Sequence, residues 1–234
     1  MSVSFGGVRA IVLSGHGTVF DSAAAVRSAA DALGERTEAL AALWAAKRFE
    51  YAWIATATGR RTELWQITGE ALDHAMAALG LGQNRLLRAR LMQGLLQAPP
   101  FPDARPALAA LAGNRHRPLA LLTNASTMMA TATAKAGEVF ALFDALLSAE
   151  PTGVFKPSPV VYQLAPARFG LAPGEIAYVS AHPWDIAGAT LAGLRTIWLN
   201  RTGAVAEFSW APPAAVIASL AELPGLVEAG QKVA

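Results

Sequence analysis

Residues 8–13, VRAIVL, form a short aliphatic and β-branched run that stops at the small residues Ser14 and Gly15. A run that is apolar at every position suits a strand covered on both faces, and the small residues after it allow a tight turn. Four later stretches repeat the pattern: PLALLTN ending at Asn124, DALLS over 144–148, EIAYVS over 175–180 and LRTIWLN over 194–200. Helix-like stretches separate them, including 127–136 and 159–169. Strand, helix, strand in repetition predicts an α/β fold with a parallel sheet and helices on both faces. Such sheets bind ligands beyond the carboxyl ends of their strands, so the residues of interest are 14–21, 123–126, Lys156 and 180–185.

From about residue 22 to residue 97 the pattern changes. Apolar residues recur at helical spacing and no convincing strand is present; the proline-rich stretch APPFPDARP, 98–106, then returns the chain to the sheet. At 234 residues, 53% hydrophobic and 15% charged, the chain is long and apolar enough for one core domain with an insertion. The expected division is an α/β core of residues 1–21 and 99–234 and a helical cap of residues 22–98, with the site between them. No internal repeat, heptad pattern or low-complexity tract competes with this.

Charge and cysteine content narrow the chemistry. Nineteen basic and 17 acidic residues leave a net charge of +2, too small a bias to predict a nucleic-acid or acidic-membrane partner. No apolar run reaches the roughly 18 residues of a membrane span, and the N-terminal stretch lacks a secretory pattern, so a cytoplasmic location is expected. With no cysteine, disulfides, thiolate metal sites, Fe–S clusters and cysteine nucleophiles are excluded; a metal site would need histidines or carboxylates, and there are only four histidines.

Several blocks occur in a set order: LSGHGTVFD at 13–21, ALWAAKRFEYAW in the cap, PFPDARPALAAL at the return, then LLTNAS, VFKPSPVVYQLA and YVSAHPWDIAGATLAGLRTIWLNRTG. Together they resemble the haloacid dehalogenase superfamily, and in particular the type II 2-haloacid dehalogenases, over residues 9 to about 226. The resemblance implies a Rossmann-like core with an inserted cap, a small 2-substituted carboxylate bound between them, and a homodimer through the cap as an option. In that family an aspartate ending the first strand attacks the halogen-bearing carbon, and water hydrolyses the resulting ester. Here Ser14 stands at that position. Alkylating a hydroxyl gives an ether, which has no carbonyl for water to attack, and an unassisted hydroxyl is a weak nucleophile.

Other positions also depart from the family pattern. The cap arginine corresponds to Ala45, with Arg48 three positions on and on the same helical face; the first-motif tyrosine is His16, and the fourth-motif asparagine is His182. By resemblance Thr18, Thr123, Asn124, Lys156, Tyr162, Ser180, Trp184 and Asp185 fall on motif positions. The catalytic candidates are therefore Ser14, Lys156, His182, Asp185 and His16. The candidates for ligand contact are Thr18, Thr123, Asn124, Arg48, Tyr162, Ser180 and Trp184. Lys156 would bring its charge toward Ser14, balanced by Asp185.

Two catalytic schemes follow: Ser14 as an acyl or phosphoryl acceptor with Lys156 or a histidine as base, or His182, oriented by Asp185, activating water directly. The competing class is an inactive paralogue that acts as a binding or interaction protein. Phosphatases of the superfamily hold magnesium with two aspartates, whose positions here are Ser14 and His16, so no metal and no cofactor is expected. The cap aromatics Trp44, Tyr51, Trp53 and Trp65 read mainly as packing, and Asp21 as the cap of a helix beginning near Ser22.

Overall fold

The computed structural model describes residues 5–82, 84–113 and 117–229; the first four residues of the N-terminal stretch and the last five of the chain lie outside it. Its sheet comprises β1 (Ala10–Ser14), β2 (Leu119–Thr123), β3 (Ala145–Ser148), β4 (Ile176–Ser180), β5 (Arg195–Leu199) and β6 (Ala215–Ile217). All neighbouring pairs are parallel and the order is β3-β2-β1-β4-β5-β6. The five strands expected from sequence form, each starting a residue or two later than expected, and β1 runs one residue further, through Ser14. β6 was not foreseen; it is three residues long at the sheet edge, with Val216 exposed, and offers little apolar pattern.

Eleven helices surround the sheet among the described residues. Between β1 and β2 lie α1 (Ala24–Arg27), α2 (Ala30–Leu33), α3 (Thr37–Thr58), α4 (Leu64–Ala78), α5 (Arg85–Leu96) and α6 (Ala104–Gly113). Later come α7 (Thr127–Ala136), α8 (Pro159–Tyr162), α9 (Leu164–Phe169), α10 (Pro183–Leu191) and α11 (Leu223–Ala229). The helix expected over 159–169 is broken at Gln163, three residues before Pro166, which has no N–H to donate to the Tyr162 carbonyl and whose ring crowds it.

Strand alternation divides the core. Ile11, Leu13, Leu119, Leu121, Val179 and Ile197 pack on one face with residues of α6, α7 and α11. Ala10, Val12, Ala120, Leu122, Ile176 and Tyr178 pack on the other with residues of α8, α9 and α10. Each large aliphatic side chain buried here stabilises the fold by about 1.5–3 kcal/mol.

Helices α1–α5 pack through a separate cluster that includes Val26, Leu40, Trp44, Leu72, Leu91 and Leu95. A second small cluster, Ala52, Ala55 and Ile67, receives Phe155 from the loop after β3. The Phe155 N–H also donates to Thr56 Oγ1 at 3.0 Å, so one loop of the sheet's carboxyl edge is fastened directly to the helical insertion.

Candidate active site

β1 is the point at which strand order reverses, since the chain leaves it for β2 on one side and later returns to β4 on the other. A crevice opens at the carboxyl end of such a strand. Ser14 is the last residue of β1 and is buried. After it the chain folds back on the Gly15 carbonyl, which accepts from the N–H groups of Thr18, Val19 and Phe20. Gly17 has φ +85°, and a Cβ there would lie 2.5 Å from His182 Nε2, so both backbone conformation and space demand glycine. Thr18 Oγ1 accepts from Ala181 N–H at 2.9 Å, tying this loop to the one after β4. The Thr18 carbonyl is in turn held by Arg201 Nη2 at 3.1 Å, and Arg201 is paired with Asp103.

Behind Ser14 lies a dense polar network. Lys156 Nζ donates to Ser14 Oγ at 3.0 Å, to Asp185 Oδ2 at 3.0 Å and to the Leu122 carbonyl at 3.2 Å, with Tyr178 Oη at 2.8 Å. Asp185 Oδ2 also accepts from Tyr178 and Ser180, each at 2.8 Å, and Oδ1 accepts from Tyr162 at 2.6 Å. Gly188 makes the last contact possible, because a Cβ there would stand 2.8 Å from Tyr162 Oη. Burial alone would raise the Asp185 carboxyl, but the Lys156 ammonium and the hydrogen bonds from Tyr162, Lys156 and Ser180 outweigh it and hold the group below the usual carboxylate range. Asp185 is therefore ionised, and the adjacent Lys156 is its cation. Burial lowers the Lys156 ammonium and the Asp185 charge opposes that shift.

Helix α3 contributes Arg48. On α3 the buried positions are Thr37, Leu40, Ala41, Trp44, Arg48, Ala52 and Ala55, a stripe at helical spacing in which Arg48 is the one charged member. Its guanidinium lies 5.4 Å from the Trp44 ring centroid and Nη2 reaches Ser22 Oγ at 3.4 Å. Its buried Nε has no partner, and among the described residues it makes no ion pair. Burial lowers its pKa to about 10, which leaves it charged at neutral pH.

Both histidines at the site are neutral. His16 is lowered to about 3 by burial first, then by Arg48, with His182 and Lys156 adding to the effect. His182 is lowered by burial, with Asp185 opposing. His182 Nε2 lies 3.2 Å from the His16 carbonyl; a carbonyl only accepts, so Nε2 carries the proton and Nδ1 the lone pair. The His182 ring stacks on Trp184, with centroids 5.5 Å apart, and meets the edge of Phe49 at 4.9 Å.

Ser14, Gly15, His16, Thr123, Asn124, Lys156, His182 and Trp184 from the carboxyl edge of the sheet and Arg48, Phe49, Ala52 and Leu64 from α3 and α4 line one cavity of about 50 Å³. At about 10–15 Å³ per water that is room for a few waters or a two- to three-carbon acid. Of the residues anticipated from sequence, Thr18, Tyr162, Ser180 and Asp185 do not line it; they hold the loops and Lys156 from behind. The anticipated pairing of His182 with Asp185 is not formed, because both Asp185 oxygens are engaged by Lys156, Tyr162, Tyr178 and Ser180. Asp21 Oδ1 accepts from the N–H groups of Ala23 and Ala24 just ahead of α1, the capping contact expected of it. Trp44 is cap core, its Nε1–H donating to the Thr68 carbonyl at 2.9 Å.

Four contributors were not foreseen: Tyr178 in the polar network and Phe49, Ala52 and Leu64 on the cavity wall. Tyr178 could have been found from its place in β4, two residues before Ser180 and so on the same face. Phe49 carried no comparable signal. Among the described residues no three or more histidines and carboxylates gather as a metal site would require, and no helix is long and apolar enough to cross a membrane.

Comparison with known proteins supplies the lineage. The chain is 36% identical over 220 residues to (S)-2-haloacid dehalogenase 1 of Pseudomonas sp. (strain CBS-3), covering 94% of this chain and 96% of that one. It is 35% identical over 216 residues to (S)-2-haloacid dehalogenase 4A of Burkholderia cepacia, covering 92% and 93%. Among solved structures, a dehalogenase in an intermediate complex superposes with TM-score 0.92 at 35% identity, covering 95% and 98%. The L-2-haloacid dehalogenase of Xanthobacter autotrophicus with chloropropionic acid covalently bound superposes with TM-score 0.86 at 29% identity, covering 97% and 100%. A family model for haloacid dehalogenase-like hydrolases matches residues 13–193, and with these relatives it shows that the chain belongs to the haloacid dehalogenase-like hydrolase family.

Proposed function

We propose that the protein binds a small 2-substituted monocarboxylate in the cavity between cap and core, and that the aspartyl-ester route of dehalogenases is not available to it. The observation that carries this reading is the charge of the cavity. Two buried cations, Arg48 and Lys156, face one carboxylate, Asp185, and both histidines are neutral. One positive charge is left uncompensated in a desolvated space, which a monoanion neutralises. The apolar walls of Phe49, Ala52, Leu64 and Trp184 suit a short alkyl group beside that anion.

Ser14 stands where the family aspartate attacks. Its hydroxyl oxygen accepts from Lys156, a group held cationic by Asp185, so no base withdraws its proton. Alkylation of this oxygen by a halo acid would leave an ether and end after one event. The geometry thus favours binding over turnover, the role of a paralogue without the family's nucleophile. A second reading, hydrolysis by direct attack of water, has one observation behind it: His182 lines the cavity, and its tautomer puts the lone pair on Nδ1.

The test is halide release and 2-hydroxy-acid formation from 2-chloropropionate and haloacetates, alongside calorimetric binding of the same acids, with Ser14→Ala as control and mass spectrometry for an adduct. Binding without repeated turnover is expected. Repeated turnover abolished by Ser14→Ala would overturn the account of Ser14, and turnover surviving Ser14→Ala but lost in His182→Gln would establish the water route.

A further inference from the structure

The chain crosses between the sheet and helices α1–α5 twice, by residues 15–23 after β1 and by residues 97–103 before α6. The two crossings run antiparallel and are bonded to each other: Asp21 N–H donates to the Pro99 carbonyl at 2.8 Å and Phe101 N–H to the Val19 carbonyl at 2.9 Å, with Phe20 opposite Pro100. One side chain outside them holds both. Arg201, in the loop after β5, donates from Nη1 to Asp103 and from Nη2 to the Thr18 carbonyl at 3.1 Å, and its guanidinium lies 4.3 Å from the Phe101 ring centroid. Asp103 Oδ2 also accepts from Ser219 Oγ at 2.7 Å and from Leu220 N–H at 2.8 Å, which ties this clamp to the chain after β6.

The far end of the first crossing meets the cation of the cavity. Ser22 follows Asp21, and its Oγ is the one hydrogen-bond partner of Arg48 among the described residues. Trp44, under the Arg48 guanidinium, lies on α3 itself and cannot fix that group relative to β1. Arg201 does not line the cavity. A role in the fold alone would need no more than its ion pair with Asp103; the bond to the Thr18 carbonyl adds the crossing that leads to Ser22.

We infer that Arg201 is a positioning residue of the ligand site: through the paired crossings and Ser22 it sets where α3 presents Arg48. This rests on the reading of the cavity as a carboxylate site. A guanidinium bonds a carboxylate through a planar fork, so its worth to an anion depends on where the fork is held. Without the Arg201 clamp the crossings are free to shift against β5 and β6, and the shift reaches Arg48 through a contiguous chain of bonds.

The experiment is calorimetric titration of the full chain with propionate and 2-chloropropionate, with urea melts on the same preparations. Arg201→Met is expected to weaken binding of both acids at least about fivefold and to lower stability, since it leaves Asp103 without its cation. Arg201→Lys returns a cation to Asp103 without the planar fork that spans both crossings, so it is expected to recover stability and not affinity. Stability and affinity recovering together would overturn the inference, as would full affinity in a folded Arg201→Met. Ser22→Ala removes only the last link and is expected to weaken binding by itself, while Ser22→Ala with Arg201→Lys binds no more weakly than Arg201→Lys alone. Additive losses, or no loss in Ser22→Ala, would overturn the inference even where Arg201→Met does not fold. Failure of the unaltered protein to bind either acid would overturn the carboxylate reading and this inference with it; equal binding by every variant would overturn this inference and leave the carboxylate site standing.

Discussion

Lys156 Nζ and Ser14 Oγ are 3.0 Å apart, with the lysine as donor. The lysine is thereby placed to steady an anion at the end of β1, and the chain supplies a neutral hydroxyl instead. Ser14→Asp should place a carboxylate beside Lys156. Halide release from 2-chloropropionate is expected to appear in Ser14→Asp and to be absent beyond one equivalent in the unaltered protein. Tyr178, whose Oη is close to both Lys156 and Asp185, would tend to bond the new carboxylate and blunt it as a nucleophile. The double variant Ser14→Asp with Tyr178→Phe should therefore release halide faster than Ser14→Asp alone. No halide from either variant would show that more than Ser14 stands between this site and dehalogenation.

Arg48 is expected to have opposite effects on binding and stability. Its charge occupies an apolar stripe of α3 without a carboxylate, a position that costs folding energy and serves only an anion. Arg48→Met should raise unfolding free energy by about 1 kcal/mol or more and weaken carboxylate binding by at least tenfold. Denaturant melts and calorimetry on the same preparation check both. A variant that is both weaker in binding and less stable would mean that Arg48 is a structural residue.

Much of this arrangement can be read in the sequence, for identifiable reasons. Strands β1 to β5 are announced by uninterrupted apolar runs, because a parallel strand covered on both faces has no polar side to show. Arg48 is visible as a charge inside the Leu40, Trp44, Ala52 stripe, although its reach into the cavity depends on how α3 lies over the sheet. The separation of cavity-lining residues from supporting ones was not legible. Thr18, Ser180 and Asp185 sit on the same motifs as His16 and His182, and only the turn geometry decides which side chains point outward. The His182–Asp185 pairing failed because four other donors, Lys156, Tyr162, Tyr178 and Ser180, occupy both carboxylate oxygens, a competition that the closeness of His182 and Asp185 in sequence does not show.

The buried pair of Lys156 and Asp185 should show strong coupling. Lys156→Met strands a carboxylate that is fully enclosed, and Asp185→Asn strands an ammonium, so each change is expected to cost about 3–5 kcal/mol. The double variant removes both charges and should cost less than the two single changes together, by roughly 1–3 kcal/mol of coupling. A double-mutant cycle by urea unfolding measures this. Additive losses would mean that the tyrosine and serine hydrogen bonds hold Asp185 in place independently of the lysine.

Acid should destabilise the protein through His16. In the unfolded chain this ring takes up a proton near its usual value of 6.5, whereas in the folded protein it stays neutral down to about 3. Between those values the unfolded state binds more protons, so the contribution is fully present above about pH 6.5 and is lost as pH falls, at no more than about 1.4 kcal/mol per pH unit. His182, also lowered by burial, acts in the same direction. Urea melts of the unaltered protein and His16→Gln between pH 7 and pH 4.5 isolate the His16 part, because the other acid-sensitive groups are common to both. The free energy of the unaltered protein is expected to fall more steeply with acid than that of His16→Gln. Parallel slopes would show that His16 gains a proton in the folded state as readily as in the unfolded one.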